Sequence, residues 1–230
     1  MAYNQAPSRS PFIDNSLKEA LQRRGTEILG LILIAISIGI FLLLWSYSPN
    51  DRSFWSISDE PTQNILGVIG SSIAAPLILI LGWGSFSLPV FLLIWGVRFV
   101  CHSGVDRAIT RMIFFPVAMA FSSAFFATLV PNSTWVHKVG LGGLFGETSV
   151  GVILKSLPEV STTWVNMITL MMSVISLLTL LFVSGFSRKE VSGISKFLLK
   201  GSFLFCIHIF ALVARIAFLS ISRTVSYTHL

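Results

Sequence analysis

Four long apolar runs without a charged side chain constrain this chain more than any other feature. They span residues 28–45, 74–97, 112–130 and 164–182. About 20 apolar residues in a helix cross the hydrocarbon core of a bilayer, so each run predicts a membrane-spanning helix. With 53% hydrophobic and 11% charged residues, the sequence leaves little for a separate soluble core. We therefore predict an all-α membrane protein, a four-helix transmembrane bundle over residues 28–186.

The basic residues are distributed unevenly among the connections. Of the 16 Lys and Arg residues, only Arg52, Lys138 and Lys155 fall in the first and third connections. The others lie in residues 1–27, in the second connection or after the fourth span, and the positive-inside rule then places both termini in the cytoplasm. No A-x-A-like cleavage site follows the first span, so we interpret it as an uncleaved signal anchor.

Aromatic side chains gather near the ends of the predicted spans, where the headgroup layer of a membrane favours them. They are Trp45, Tyr47, Trp55, Trp95, Trp135 and Trp164. We predict that these side chains anchor the spans at the two interfaces.

The sequence lacks the motifs of common catalytic and metal sites. It contains no G-x-x-x-x-G-K-[ST] phosphate-binding loop, no H-E-x-x-H and no G-x-S-x-G. Cys101-His102 and Cys206-x-His208 each lack the second pair of ligands that a zinc site requires. We expect no catalytic residue, no cofactor and no metal in this chain.

A glycine-rich stretch, Gly140-Leu-Gly-Gly-Leu-Phe-Gly146, precedes the fourth span. It resembles a dinucleotide-binding fingerprint, but no strand precedes it and no acidic ribose partner follows in the required context. We interpret Gly142, Gly143 and Gly146 as part of an outer loop that forms either a tight turn or a short element dipping into the interface.

The region after the fourth span, residues 187–224, is ambiguous. From about Lys196 to Arg223, one stripe at helical spacing contains the polar residues Lys200, His208, Arg215 and Ser222. Such a helix either lies in the cytoplasmic interface and leads into a linker or forms a fifth span with Arg215 buried at some cost. We favour the interfacial helix. We interpret residues 225–230 as a non-native tail.

The loop after the first span resembles a known family. Ser46-Tyr47-Ser48-Pro49-Asn50-Asp51 is similar to the loop signature in the N-terminal four-transmembrane region of FtsK-type (FtsK/SpoIIIE family) DNA translocases. Further similarities, in chain order, are Leu88-Pro89, Arg98, Gly142-Gly143-x-x-Gly146 and Ser184-Gly185-Phe186-Ser187. The chain departs from the family at Arg52, where proline is usual, and lacks the tryptophan that usually follows the last glycine-containing turn.

This resemblance, which covers about residues 20–190, implies a membrane anchor at the division septum, acting in cell division and chromosome segregation. In this family a long linker and a hexameric ATP-driven DNA motor follow, so we expect the chain to be truncated before its motor. ATP, magnesium and DNA are then expected only with that motor. The implied partners are the lipid bilayer, division-site membrane proteins and further copies of the chain, a hexamer by resemblance.

A small transporter or channel subunit is the alternative function. It predicts a polar path through the middle of the membrane. The spans offer only Ser, Thr, Asn166 and glycine there, which we interpret as helix-packing residues.

Overall fold

The protein is built from α-helices in the computed structural model. The structure describes residues 15–56, 58, 60–104, 107–133, 135, 137, 139–157, 161–187, 189–193, 195–197, 200, 201 and 208. The helices are α1 (Asn15–Trp45), α2 (Gly67–Leu81), α3 (Ser87–Val100), α4 (Ala108–Ile113), α5 (Phe115–Ala127), α6 (Gly143–Lys155) and α7 (Thr162–Val183). A 3-10 helix, Gly82–Phe86, joins α2 to α3. Among these residues the extended pairing is limited to one isolated bridge between Ser53 and Ser56.

Four helical segments are long and apolar enough to cross a membrane. They are Lys18–Trp45, Gly67–Val100, Ala108–Ala127 and Thr162–Val183. Each predicted span lies largely within one of them. The predicted all-α architecture with four membrane-spanning segments is therefore confirmed.

The second span differs from the regular helix predicted over residues 74–97, because it is interrupted at its centre. Gly82 has a positive φ of 57°, which glycine adopts without steric cost. A Cβ on Gly84 would lie 2.7 Å from the backbone nitrogen of Ser123, so this turn packs directly on another helix. The Ser85 and Ser87 hydroxyls donate to the carbonyls of Gly82 and Gly84, each at 2.7 Å. These hydroxyls add side-chain hydrogen bonds to the backbone within the interruption, where the regular α-helical pattern is lost.

Helices α1 and α3 form one antiparallel pair. A Cβ on Gly30 would lie 2.6 Å from the carbonyl oxygen of Gly96, so the two glycines allow close backbone approach. Further along, the Ser37 hydroxyl donates to the carbonyl of Pro89 at 2.6 Å. Because Gly30 meets Gly96 and Ser37 meets Pro89, the two helices run in opposite directions.

Helices α5 and α7 form the second antiparallel pair. The Ser122 and Ser176 hydroxyls hydrogen-bond to each other at 3.1 Å, and both residues are buried. Towards one end Ala124 packs in a cluster with Met172, and towards the other Phe114 meets the Phe182 ring edge to face. Small and hydroxyl side chains thus hold this pair together, as is common for helices surrounded by lipid.

Helix α2 crosses the end of α1. The Asn64 amide, just before α2, donates to the Leu43 carbonyl at 2.8 Å. Ala74 and Ile78, in the second half of α2, pack in the same cluster as Leu43 and Leu44. Since both parts of this segment contact one turn of α1, α2 lies across that turn.

Helix α2 also has an inverted polarity. Its buried residues are Gly70, Ser71, Ser72, Ala74 and Ile78. Large apolar side chains are exposed instead, with Ile69 at 66% and Ile80 at 48%. Hydroxyls inside and isoleucines outside are unfavourable in water but expected where hydrocarbon surrounds the helix. The outer side of α2 therefore faces lipid.

The chain divides into two compact units, Met1–Gly185 and Phe186–Leu230. In the second unit, the Ser187 amide donates to the Glu190 carboxylate at 2.7 Å, and the Glu190 amide donates to the Ser187 hydroxyl at 3.2 Å. This reciprocal arrangement is a capping box, which starts a helix. Arg215, Ser222 and the tail 225–230 lie outside the described residues, so the interfacial-helix interpretation of residues 187–224 stays a prediction.

Candidate functional site at the glycine end

Two ends of the four-span unit carry different residues. At the glycine end, the start of α6 meets the end of α2, and a Cβ on Gly143 would lie 2.5 Å from the Gly82 nitrogen. The Trp83 amide donates to the Leu141 carbonyl at 2.8 Å in the same contact. At the arginine end lie Arg98 and Arg111, near the ends of α3 and α4.

The loop signature Ser46–Asp51 lies at the glycine end, and its carboxylate has a structural role. Asp51 is only 4% exposed, and it accepts the amides of Gln63 at 2.8 Å and Asn64 at 3.1 Å. Two backbone hydrogen bonds stabilise a buried carboxylate and also satisfy donors that would otherwise lack partners. Asp51 thus fixes the start of the segment leading into α2.

The other signature residues complete this connection. The Ser46 hydroxyl donates to the Leu42 carbonyl at 2.7 Å and accepts the Ile65 amide at 3.1 Å. The Asp51 amide donates to the Ser48 carbonyl at 3.2 Å, closing a turn that contains exposed Pro49 and Asn50. The Tyr47 ring instead stacks on the ring of His137, in the connection after α5.

The glycine-rich stretch is the start of α6 rather than wholly a loop. Gly142 precedes the helix, while Gly143, with a φ of 64°, and Gly146 belong to it. The Ser123 hydroxyl donates to the Gly142 carbonyl at 2.6 Å. A Cβ on Gly146 would lie 2.8 Å from the carbonyl carbon of Ser123. These three glycines therefore let α6 rest directly on α5 and on the interruption of the second span.

Mostly aromatic side chains line an open cavity of about 360 Å³ at this end. Its lining residues are Phe41, Leu44, Trp45, Tyr47, Ile78, Trp83, Phe86, Phe126, Trp135 and His137. The Tyr47 and His137 rings stack at 5.5 Å, and Trp135 meets the His137 ring edge to face at 4.2 Å. The Trp135 indole donates to the Val139 carbonyl at 2.6 Å, which fixes the connection after α5.

The two titratable rings of the cavity favour their neutral forms. Burial raises the pKa of the Tyr47 phenol, and the nearby Asp51 carboxylate raises it further. Burial lowers the pKa of the His137 imidazole. At neutral pH the wall therefore offers a neutral hydroxyl and a neutral imidazole rather than charges.

The cavity could not be predicted from local sequence patterns, because its wall residues are as far apart in sequence as Phe41 and His137. The aromatic residues near span ends were the available signal, and Trp45 and Trp135 both line the cavity. The prediction of an interfacial anchor is wrong for Trp95, which is fully buried in the core of the unit. Its indole donates to the Val183 carbonyl at 3.0 Å, so it needs no water or headgroup partner.

Side chains at the arginine end hold the last turn of α7. Besides Trp95, the Arg111 guanidinium donates to the Phe182 carbonyl at 2.7 Å and lies 3.7 Å from the centre of the Phe182 ring. Helix C-termini leave carbonyls without regular helical partners, and these two side chains donate to the last two carbonyls of α7. Gly185, with a φ of 71°, follows this turn. A Cβ on Gly185 would lie 3.0 Å from the Trp95 ring, so the glycine allows the chain to pass close to this ring. Helices α3 and α4 thus fasten α7 where it ends.

Within the described ranges, no group of three or more His, Cys, Asp or Glu side chains is arranged to hold a metal ion. The carboxylates of Asp51 and Glu190 instead accept hydrogen bonds from backbone amides.

Comparison with known proteins decides the family. Residues 22–194 match the family described as the 4TM region of DNA translocase FtsK/SpoIIIE. The chain belongs to this four-transmembrane family. Residues 22–194 are thus a four-transmembrane region of the FtsK/SpoIIIE kind, and the chain is a multi-pass membrane protein.

Relatives of this family share moderate identity with the chain. The DNA translocase FtsK of Bradyrhizobium diazoefficiens is 32% identical over 135 residues, covering 59% of this chain and 16% of that protein. The DNA translocase FtsK of Rickettsia prowazekii is 26% identical over 176 residues, covering 76% of this chain and 21% of that protein. The matched part is thus a small fraction of the relatives. No solved structure matches the chain.

Proposed function

We propose that residues 22–194 anchor a DNA translocase in the bacterial inner membrane and gather at the division septum, where the whole protein serves cell division and chromosome segregation. The match of these residues to the four-transmembrane region of FtsK/SpoIIIE translocases carries this proposal. The relatives from Bradyrhizobium and Rickettsia are both named DNA translocases, which supports the same role for a longer protein containing this region.

Contacts at the arginine end suit an anchor. The chain leaves the first unit at Gly185, directly after the turn of α7 whose carbonyls accept bonds from Trp95 and Arg111. Force applied to the residues that follow is shared among several spans instead of acting on α7 alone. Hydrogen bonds from charged donors contribute roughly 1.5–3 kcal/mol, so Arg111 is a substantial part of this fastening.

We propose that the arginine end faces the cytoplasm and the glycine end faces outward, with both termini inside. The distribution of basic residues supports this orientation. Single cysteines at Ser58 and Ser149, in a background without Cys101 and Cys206, should react with impermeant thiol reagents in whole cells. One at Ser103 should not react, and labelling there would reverse the orientation.

The division-site role is tested by the position of the protein in dividing cells. A fluorescent fusion of residues 1–224 should gather at the septum. The Gly151→Ala variant, whose added methyl meets no atom within 4 Å, is the matched control and should gather equally. The Gly143→Ala variant, which crowds the glycine end, should stay in the membrane but gather less. Uniform membrane fluorescence of the unsubstituted fusion would overturn the septal role.

We propose that these residues do not hydrolyse ATP, and that ATP, magnesium and DNA are handled by a motor outside the present sequence. The absence of a phosphate-binding loop from the 230 residues supports this. Purified protein should show no ATP hydrolysis, and its DNA binding should be weak and sensitive to salt. Hydrolysis abolished by substituting one of its own residues would contradict the proposal.

We propose that the partners within the membrane are division-site proteins and further copies of the chain, up to a hexamer. Helix α1 offers a face for such copies, because Ala35 is exposed and a Cβ on Gly39 would meet no atom within 4 Å. Cross-linking of single cysteines at these two positions should yield oligomers. A monomer under all conditions would contradict self-association.

Three buried hydroxyls of the spans are engaged in helix contacts rather than in a polar path. Ser37, Ser122 and Ser176 are buried, and each is already hydrogen-bonded to a neighbouring helix. These bonds support helix packing. Solute flux through the protein in liposomes would favour the transporter alternative.

A further inference from the structure

The aromatic cavity of the glycine end has a closed floor and an open rim. Leu44 and Ile78 form the floor, each only 4% exposed. Phe41, Trp45 and Trp83 form the rim, with exposures of 44%, 72% and 47%. A volume of about 360 Å³ lies within the range of small-ligand sites, roughly 300–1,000 Å³. The cavity is large enough to take part of a ligand, and its wall is mainly apolar.

The exposed side chains around the cavity are apolar. Ile78 of the floor lies on α2, the helix with buried serines and exposed isoleucines. Its neighbours Leu79 and Ile80 are each 48% exposed. The rim residues Phe41 and Trp45 end the uncharged stretch of α1. Both observations favour an opening at the depth where acyl chains meet the headgroup layer.

Besides indole N–H groups, this mainly apolar wall contains two neutral polar groups, on Tyr47 and His137. Within the part of the chain that the structure describes, neither the Tyr47 hydroxyl nor the His137 imidazole forms a hydrogen bond, and both rings are half-buried. A second cavity, of about 190 Å³, shares Tyr47, Ile78 and His137 and continues to Pro49. Polar handles thus lie towards the loop, while the floor is purely apolar. This polarity gradient matches a molecule with a hydrocarbon part and an uncharged ester or hydroxyl.

We infer that this cavity is a binding site for a membrane lipid of the glycine-end leaflet. One acyl chain lies against Leu44 and Ile78, and the uncharged glycerol ester lies beside Tyr47 and His137, whose hydroxyl and imidazole donate to its carbonyl oxygens. An aromatic side chain of another protein would fit the apolar part, but it would leave the polar pair without a partner. A charged ligand is disfavoured, because the wall contains no charged side chain.

The test uses the full chain in phospholipid nanodiscs containing a trace of phospholipid with a diazirine near the ester of one acyl chain. After irradiation, mass spectrometry should locate the label on residues of the cavity wall, above all Ile78, Phe86 and Trp135. A phospholipid with the diazirine at the chain terminus is the positional control. It should label the exposed middle of α7, such as Val174 and Leu177, which are 48% and 58% exposed.

Two isoleucines of α2 give a matched pair of variants. Ile78→Trp fills the cavity and should abolish label from the near-ester probe on Trp135. Ile69→Trp changes a 66% exposed position on the same helix and should leave that label unchanged. A Tyr47→Phe, His137→Phe double variant keeps the shape of the wall but removes both polar handles. It should move the label from the near-ester probe away from the loop. This double variant still tests the proposal if Ile78→Trp fails to fold.

The result decides between a lipid and other occupants. Labelling of the exposed faces of the spans without labelling of the cavity wall would overturn the proposal. So would near-ester label on Trp135 that persists in Ile78→Trp. Labelling of the wall that disappears only when a second copy of the chain is cross-linked in place would assign the cavity to a protein contact.

Discussion

Two helices of the glycine end, α2 and α6, begin with the same turn in different surroundings. The sequences are Asn64-Ile-Leu-Gly67-Val-Ile-Gly70 and Gly140-Leu-Gly-Gly143-Leu-Phe-Gly146. Gly67 and Gly143 both have a φ of 64°. Their amides donate to the carbonyls three residues earlier, at 2.8 Å and 3.0 Å. Each turn follows the connection from a membrane span, but α2 is the first part of the second span, whereas α6 precedes the fourth span.

The two turns are held in different ways. Buried Asp51, from a distant part of the connection, accepts the Asn64 amide before α2. Exposed Glu147, from the first turns of α6 itself, accepts the Gly140 amide at 2.5 Å. The turn before α6 instead depends on backbone crowding, because Gly143 packs on Gly82 while a Cβ on Gly67 would meet no atom within 4 Å. The same local motif is thus stabilised by a carboxylate in one place and by close packing in the other.

The two helices also face different solvents. The outer side of α2 is isoleucine-rich and uncharged. Helix α6 carries Glu147 and Lys155 on exposed positions. A charged side chain is costly in hydrocarbon, so α6 lies nearer to water than α2 does. One repeated turn therefore starts helices at two depths.

The largest expected effect separates crowding from backbone strain. Both Gly143→Ala and Gly67→Ala place a side chain at positive φ, which costs roughly 1–2 kcal/mol. Gly143→Ala also forces a methyl group against Gly82 and Ile80, which adds roughly 1–3 kcal/mol of overpacking. We expect the free energy of unfolding in mixed detergent micelles to fall clearly more for Gly143→Ala. Gly151→Ala, in open space on α6, is the control, and equal losses at Gly67 and Gly143 would contradict the packing difference.

The second prediction compares the two carboxylates. Asp51→Asn places an amide group opposite two buried backbone donors, and we expect a loss of about 1–3 kcal/mol in unfolding free energy. Glu147→Gln changes an exposed contact, for which we expect at most about 0.5 kcal/mol. Thermal unfolding in detergent measures both. A larger shift for Glu147→Gln would show that the two turns are not held as the structure indicates.

The third prediction tests the depths of the helices. Ile69 on α2 and Val152 on α6 are each 66% exposed. Because α2 faces hydrocarbon near the edge of the bilayer, Ile69→Lys should cost roughly 1–2 kcal/mol in lipid, between the values for the midplane and the interface. Val152→Lys should cost less. Unfolding in bilayers provides the measurement, and equal costs would place the two helices at one depth.

The smallest expected effect concerns the connection before α6, where burial lowers the pKa of the His137 imidazole. The folded state then binds a proton less readily than the unfolded state, so the stability from a neutral ring is present above about pH 6.5 and declines as the pH falls below it. His137→Phe should lose less stability than the unsubstituted protein between about pH 7.5 and pH 5.5. Parallel pH profiles of the two proteins would contradict this assignment.

Much of the architecture could be predicted from local patterns. Uncharged runs such as 28–45 predict helices, because in lipid a single segment can pair its own backbone N–H and C=O groups only as a helix. The interruption at Gly82–Phe86 could not be predicted in this way. Glycines and serines such as Gly84 and Ser85 are compatible with a continuous helix. The close packing of Gly84 on the backbone of Ser123 in α5 favours the interruption, and the sequence does not show this contact.

The site at the glycine end was also only partly predictable from the sequence. The sequence marked Ser46–Asp51 and Gly142–Gly146 by resemblance, but it did not indicate that Asp51 is buried against Asn64. It also placed Trp95 at an interface, because a tryptophan near a charged span end resembles an anchor. The Val183 carbonyl that Trp95 bonds is distant in sequence, and only the folded chain brings the two together.

By itself, the sequence determined that this protein spans the membrane with four helical segments, and the distribution of its basic residues gave an expected orientation. Hydrophobicity and segment length are local properties, and they are sufficient for membrane insertion. The tertiary structure decided which helices pair, where the second span is interrupted and how α2 turns its isoleucines to lipid. It also assembled the aromatic cavity from residues as distant in sequence as Phe41 and His137. These features depend on contacts between residues far apart in sequence, whose energies exist only once the helices have packed together.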